Sequence, residues 1–338
     1  MSTNLSAVKQ QVSDFLDTFN RIMTEIKKDI VGQDEVLRHM VIALIAGGNV
    51  LLEGVPGTGK TRLVRSIGQA VSLSFSRIQF LPDLMPADVT GTVVMEKTED
   101  GRTRFTFQRG PVFSHIVLAD EINRATPKTQ SALLEVMQEH MVSVAGENYP
   151  LEEPFFVLAT QNPIEQEGTY ALPEAQIDRF MMKLDMSFPS REELKNIVTL
   201  TQTTQDIRAC AVCGGKDLLD MRALALSVPV AEDVMDLAVG LVTATHPEMK
   251  DAPEITRKYL RMGASPRAAQ ALVLAARVLA LAKGAYHVSR EDIAQMAYPV
   301  LRHRIRLNFD AVTENKTADE LIGNLIEELR PRHGFFAR

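Results

Sequence analysis

The sequence predicts an α/β fold, a mostly parallel sheet with helices on both faces and hairpin inserts, followed by a smaller all-α unit. Three observations predict it. Short strand-like segments at Asn49–Leu52, Phe75–Phe80, Ile116–Ala119, Phe155–Thr160 and Phe180–Met186 alternate with segments of helical spacing, which is the pattern of parallel strands joined by crossover helices. The first run leads straight into a glycine-rich turn. After Phe188-Pro189-Ser190 the strand signal fades and helical periodicity takes over.

Taken in order, residues from Val8 to Lys28 place Val12, Phe15, Leu16, Phe19, Ile22, Met23 and Ile26 on one helical face. A second helical stretch ends at Ala46, and a third, Arg62–Val71, follows the glycine-rich turn. Val93–Met95 and Arg104–Phe107 flank Lys97–Gly101 and predict a hairpin inserted into the α/β unit. Met141–Val144 and Tyr149–Glu152, around Gly146-Glu147-Asn148, predict a second. Helices are expected near Arg191–Thr201, Asp217–Leu226, Ala231–Thr243, Pro266–Lys283 and Arg290–Leu301, the last opened by Ser289 with Asp292 as its capping pair. The expected organisation is a helix over residues 1–28, an α/β unit over 29–187 and a helical unit over 188–338. Leu321, Ile322, Leu325, Ile326 and Leu329 form an amphipathic stripe near the end; the pattern fits docking on the chain's own domain or on a neighbour.

The 338 residues exceed one average domain, which agrees with two packed units. With 45% apolar and 24% charged residues the chain has the composition of a soluble globular protein. A net charge of −6 disfavours a broad nucleic-acid-binding face. Met1–Gln11 has no apolar stretch behind a basic tip, so no secretory signal is expected. Val41–Ala46 and Ala268–Ala282 are too short or too interrupted to cross a bilayer. Cys210 and Cys213 cannot make a disulfide framework, and a cytoplasmic location is expected. Their C-x-x-C spacing supplies two of the four ligands a structural zinc needs, so they read as loop cysteines without a metal. His115, His140 and His287 read as structural or solvated, and the methionines as packing.

Gly54-Val55-Pro56-Gly57-Thr58-Gly59-Lys60-Thr61 satisfies G-x-x-x-x-G-K-[ST] in full, between an apolar strand and a helix. In such a loop the backbone N–H groups curl around phosphates, Lys60 reaches the β and γ phosphates, and the Thr61 hydroxyl ligates Mg²⁺. A chance glycine-rich turn would lack the flanking strand and helix. The run Ile116–Ala119 ends in Asp120-Glu121. Acids at the C-terminal tip of a parallel strand sit beside a phosphate site. Asp120 is expected to hold the metal and Glu121 to polarise the water that attacks the γ-phosphate. The chain has no Asn-Lys-x-Asp guanine reader.

With these two motifs the chain resembles the AAA+ ATPases, and more closely their MoxR family, over roughly Asp29 to His303. Val31-Gly32-Gln33 resembles the family's N-terminal box beside the adenine. The segment from Phe80 to Gly91 resembles the approach to its hairpin insert, and Gln108–Phe113 the segment that closes it. Asp120-Glu121-Ile122-Asn123-Arg124-Ala125 is similar to the family's extended acidic strand end. Leu158–Pro163 resembles sensor 1, which implies that Asn162 bonds the attacking water or the γ-phosphate. Leu172–Phe180 resembles the arginine-finger segment, which implies that Arg179 reaches a neighbouring subunit's site. Gly263–Ala268 resembles sensor 2, which implies that Arg267, at a helix start, reaches the phosphates. Thr245-His246 stands where members often carry Thr-Arg.

The resemblance implies ATP and Mg²⁺ as cofactors. Val31, Gly32, Gly54, Pro56, Gly57, Thr58, Gly59, Lys60, Thr61, Asp120, Asn162 and Arg267 would hold the nucleotide. Lys60, Glu121, Asn162, Arg179 and Arg267 would act in hydrolysis, and Thr61 and Asp120 at the metal. It also implies a ring, six subunits by family expectation, that remodels, activates or inserts a metal cofactor into a client, with a von Willebrand factor A domain partner. A motor subunit of a metal-chelatase-like complex, a nucleic-acid translocase and a non-hydrolysing scaffold are the competing readings. Basic hairpin tips would favour the translocase, but Lys97 and Arg102 are offset by Glu96, Glu99 and Asp100.

Overall fold

Residues of alternating parity along the central strands are buried on opposite faces, so each strand contributes to two cores. The computed structural model describes residues 2–55, 57–97, 103–162, 169–202 and 209–332. Pro56, the first hairpin's tip at 98–102, Pro163 and the tail 333–338 lie outside the described residues. Along the chain, α1 (Ser2–Asp29) and α2 (Asp34–Ala46) lead into β1 (Val50–Gly54), then α3 (Lys60–Ala70) and β2 (Phe75–Gln79). Next come α4 (Pro86–Thr90), the hairpin β3 (Gly91–Lys97) and β4 (Thr103–Arg109), β5 (Ile116–Asp120) and α5 (Pro127–Glu139). The second hairpin, β6 (Met141–Val144) and β7 (Glu147–Pro150), precedes β8 (Phe156–Gln161), α6 (Glu174–Ile177) and β9 (Met182–Met186).

Five strands form one parallel sheet in the order β2-β5-β8-β1-β9. Val50 and Leu52, Ile116 and Leu118, and Phe156 and Leu158 enter one apolar cluster. Leu51, Val117 and Ala119, and Val157 and Ala159 enter the other, with Phe80, Leu133 and Phe180. This period of two on each strand is what burial of both faces requires. The five strands expected from the sequence are therefore the five of the sheet. Both expected hairpins are present. The second turns at Ala145-Gly146 rather than at Gly146–Asn148, with φ of 54° and 83° at the two turn residues. Positive φ at both central positions is the tight hairpin turn that matches strand twist; alanine is a poor signal for it.

The helical part comprises α7 (Arg191–Thr201), α8 (Gly215–Ser227), α9 (Glu232–Ala244), α10 (Glu254–Tyr259), α11 (Pro266–Ala282), α12 (Arg290–Leu301), α13 (Phe309–Thr313) and α14 (Ala318–Arg332). Within it β10 (Leu260–Met262) pairs antiparallel with β11 (Arg306–Leu307). The capping pair at α12 forms: the Asp292 N–H donates to Ser289 Oγ at 3.2 Å and the Ser289 N–H to Asp292 Oδ2 at 2.9 Å. The stripe Leu321, Ile322, Leu325, Ile326 and Leu329 is buried in the chain's own core cluster, so α14 docks on its own helical domain. Arg302 clamps it with a two-pronged contact to Asp319 (3.1 and 2.8 Å) while reaching Asp185 of β9 at 2.9 Å.

The first apolar cluster does not stop at the sheet. It runs through α2 into α9, α11, α12 and α14 and includes Val12, Phe15, Phe19, Ile22 and Ile26 of α1. Helix α1 packs on both α3 and α11. Its last residue, Asp29, is buried and accepts from Arg62 Nε at 2.6 Å and from the Ser66 hydroxyl, both on α3. No described helix is long and apolar enough to cross a membrane.

Candidate nucleotide site

The phosphate loop joins β1 to α3. Gly57 and Gly59 have φ of 81° and 87°, and a Cβ at either would meet nothing within 4 Å. Glycine is required there by backbone conformation, and the side of the loop that would face phosphates is open. Gly54 is different: a Cβ there would sit 2.9 Å from the Met186 side chain, so it lets β1 and β9 close together. Thr58 Oγ1 donates to Val55 O at 3.0 Å and closes the loop. Lys60 and Thr61 are the first two residues of α3, whose free N–H groups add a favourable field for an anion. Lys60 Nζ donates to Gly54 O at 2.5 Å. Burial pushes the Lys60 ammonium below the usual lysine range, while Asp120, Glu121 and Glu53 pull it back up.

Asp120 ends β5, between β2 and β8 in the sheet. Its Oδ1 accepts from Thr160 Oγ1 at 2.7 Å, and its Oδ2 from Arg77 at 2.6 and 3.0 Å. Glu121 takes a left-handed conformation, φ 56° and ψ 51°, which a non-glycine residue adopts only where its surroundings enforce it. The enforcing contact is the Glu121 N–H, which donates to the same Thr160 Oγ1 at 2.8 Å. The Glu121 carboxylate accepts from Gln79 Nε2 and from Arg124 Nη1, each at 2.9 Å. Gln79 in turn accepts from Arg77 Nη2 at 2.6 Å. Arg77, Gln79 and Thr160 were not singled out in the sequence, although each sits near the C-terminal end of a strand next to β5. Asn162, one residue past β8, is 5% exposed.

Val31 and Gly32 lie between α1 and α2, Gly32 at φ 72°. A Cβ on Gly32 would collide with the Glu193 carboxylate of α7, 2.1 Å away. Gln33 Nε2 donates to Ser187 O at 2.9 Å and ties this turn to the junction between β9 and α7. The helical domain thus closes over the turn that would flank a base.

Arg267 is the second residue of α11, after Pro266. Its Nη1 lies 3.4 Å from Asp178 Oδ2. Arg179 is half-buried, with Nη1 donating to Leu134 O of α5 at 2.8 Å; its Nε is buried without a partner. His246 Nε2 bonds Ala264 O at 2.9 Å, and a Cβ on Gly263 would meet the His246 ring at 2.7 Å. The Ala264 N–H donates to Thr245 Oγ1 at 2.9 Å. Thr245-His246 therefore shapes the loop that presents Arg267.

Cys210 is exposed, and burial pushes the Cys213 thiol up to about 11. Among the described residues no group of three or more His, Cys, Asp or Glu side chains is arranged to hold a metal ion. His115 bonds Ser74 Oγ at 2.8 Å, His140 pairs with Glu153, and His287 is exposed.

Residues 49–182 match the ATPase family associated with various cellular activities (AAA), and residues 252–325 match the AAA lid domain. The chain is 42% identical to Chaperone MoxR1 of Mycobacterium tuberculosis over 92% of its own length and 81% of that protein's. It is 38% identical to the uncharacterized protein YeaC of Bacillus subtilis, over 94% and 96% of the two chains. Protein MoxR of Methylorubrum extorquens is 31% identical over 88% of this chain and 90% of its own. A crystal structure of a candidate ATPase from Cytophaga hutchinsonii superposes with a TM-score of 0.88 at 37% identity, covering 96% of this chain and 98% of that one.

Proposed function

This chain belongs to the MoxR family of AAA+ ATPases, and from that premise we propose that it hydrolyses ATP in a subunit ring to remodel a client protein. The observation that carries the reading is a convergence on neighbouring strands. The phosphate loop after β1, Asp120-Glu121 at the end of β5 and Asn162 after β8 all leave the C-terminal edge of three adjacent parallel strands. That edge is where open α/β sheets bind ligands.

The residues divide the work. The loop N–H groups, Thr58 and Lys60 hold the phosphates, with Val31 and Gly32 at the base. Thr61 and Asp120 suit a hard, oxygen-preferring cation: one hydroxyl and one carboxylate, with substrate phosphates and water to complete the set. Mg²⁺ bound there would neutralise charge on the β and γ phosphates. Glu121 takes the proton of the attacking water, Asn162 orients that water, and Arg267 adds positive charge from the lid. Arg179, released from Leu134 O, serves the site of the next subunit.

For the client the support is the β3–β4 hairpin. Met95 and Phe105 face each other across the ladder and are 67% and 72% exposed, while the neighbouring Phe107 stacks on Tyr149 of the second hairpin, ring centroids 4.2 Å apart. An exposed apolar pair on the strands of a supported hairpin suits exposed apolar segments of another protein better than it suits nucleic acid. A von Willebrand factor A domain partner, a ring of six, metal-cofactor insertion and a cytoplasmic location rest on the family resemblance.

The test is ATPase rate per subunit against protein concentration, with mass measured with and without ATP. A rate that climbs with concentration alongside an ATP-favoured oligomer supports the shared site. A constant rate in a persistent monomer overturns it.

A further inference from the structure

The short helix α6 and the residue that follows it carry two acids, Glu174 and Asp178, that face arginines of the helical domain. Glu174 Oε1 is reached by Arg261 at 3.2 Å and Arg306 at 3.1 Å. Asp178 accepts from Ser265 Oγ at 2.7 and 2.8 Å and from Arg304 Nε at 2.9 Å. Arg267 is its third partner, at 3.4 Å.

These partners are unequal. Arg304 has a side chain only 2% exposed, and its other nitrogens donate to the carbonyls of Asp178, Phe180, Met181 and Val300. A guanidinium satisfied on every side in a buried setting is fixed, and it fixes the carboxylate it holds. Arg267 is 48% exposed, with one long contact. Ser265 occupies the cap position of α11 and makes no cap bond; its hydroxyl is turned onto Asp178. So Asp178 is tied to the start of α11 through Ser265, and of its own two arginines Arg267 is the loosely held one.

We propose that Asp178 is a positioning residue that competes with the nucleotide's terminal phosphate for Arg267. ATP binding has to draw Arg267 off a carboxylate that Arg304 keeps in place. The inference rests on the reading of Arg267 as a phosphate contact. It adds that the chain itself supplies the rival anion, one residue before Arg179. An exposed pair of this kind restrains weakly, enough to tune affinity without blocking it.

The experiment is calorimetric titration of the full chain with ATPγS and Mg²⁺. Asp178→Asn keeps an acceptor oxygen for Arg304 and Ser265 but removes the charge. It should bind ATPγS about 2–5-fold tighter than the unchanged chain. Arg267→Ala should bind more weakly, and adding Asp178→Asn to it should change nothing further, since the competition is gone. Asp178→Glu should restore the original affinity. Unchanged or weaker binding by Asp178→Asn, or an effect that persists without Arg267, overturns the proposal and leaves Asp178 as a packing group. Wild-type binding by Arg267→Ala overturns the phosphate-contact reading itself, and is seen separately. Should Asp178→Asn fail to fold, Ser265→Ala carries the test with the opposite sign. It frees Asp178 Oδ2 for Arg267, so ATPγS should bind about twofold more weakly; equal or tighter binding overturns the proposal.

Discussion

Thr160 Oγ1 donates to Asp120 Oδ1 at 2.7 Å. The same oxygen accepts the Glu121 N–H, so one buried hydroxyl on β8 fixes both acids at the end of β5. Thr160→Val keeps shape and removes both bonds. It leaves the Glu121 N–H without its partner, which should cost about 1–3 kcal/mol of stability. Relaxation of the left-handed Glu121 should also lower ATP turnover about ten- to a hundredfold. Chemical denaturation and a steady-state ATPase assay read the two effects; normal turnover would mean that Thr160 is only a packing residue.

Glu121→Gln separates binding from chemistry. The amide keeps an acceptor for Gln79 and Arg124, and Asp120 is untouched. Turnover should fall roughly 10²–10⁴-fold with nucleotide affinity nearly unchanged. Hydrolysis at the original rate would remove Glu121 from its role.

Arg179→Ala should abolish turnover while each subunit still binds ATP. Lys60→Ala should lose its own site but keep Arg179. Mixing the two should restore part of the activity if Arg179 acts across an interface. Failure of the mixture, with both proteins co-assembled, would confine Arg179 to its contact with Leu134.

Stability should decline as pH drops below about 6.5. Burial, with Arg302 and Arg38 nearby, lowers the His39 pKa from 6.5 to about 4. Above 6.5 both folded and unfolded chains are neutral at this position and nothing changes. Between 6.5 and 4 the unfolded chain takes a proton that the fold refuses, costing about 1.4 kcal/mol per pH unit. Fully buried His303 shifts in the same direction. Urea midpoints at pH 7 and pH 5 should differ, and His39→Gln should shrink the difference. An equal difference in that variant would assign the pH dependence to other groups.

The centre of the sheet was legible because a strand buried on both faces, as β1, β5 and β8 are, writes itself as a nearly unbroken apolar run, while the edge strands β2 and β9 mix apolar with polar residues. The phosphate loop and the acidic strand end were legible because their chemistry needs fixed residues at fixed spacing. Other parts leave no such mark. The β10–β11 ladder joins short segments more than forty positions apart, and two or three residues carry no period. Arg77 and Gln79 look like ordinary polar positions on an edge strand until β5 is placed beside them. The Asp178 cluster joins residues 87 to 126 positions apart, so nothing local announces it. The capping pair at Ser289 and Asp292, three residues apart, could be read directly.

The packing of α1 on both α3 and α11 has a consequence for synthesis. Phe15, Phe19 and Ile22 leave the ribosome roughly 250 residues ahead of Leu272 and Leu279, which share their cluster. At roughly 5–20 residues per second, those partners arrive on the order of ten seconds or more later. Helix α3 can cover its part of the α1 stripe early, but the part that packs on α11 stays uncovered on the nascent chain for that interval, and the subunit becomes complete only after α11 has emerged.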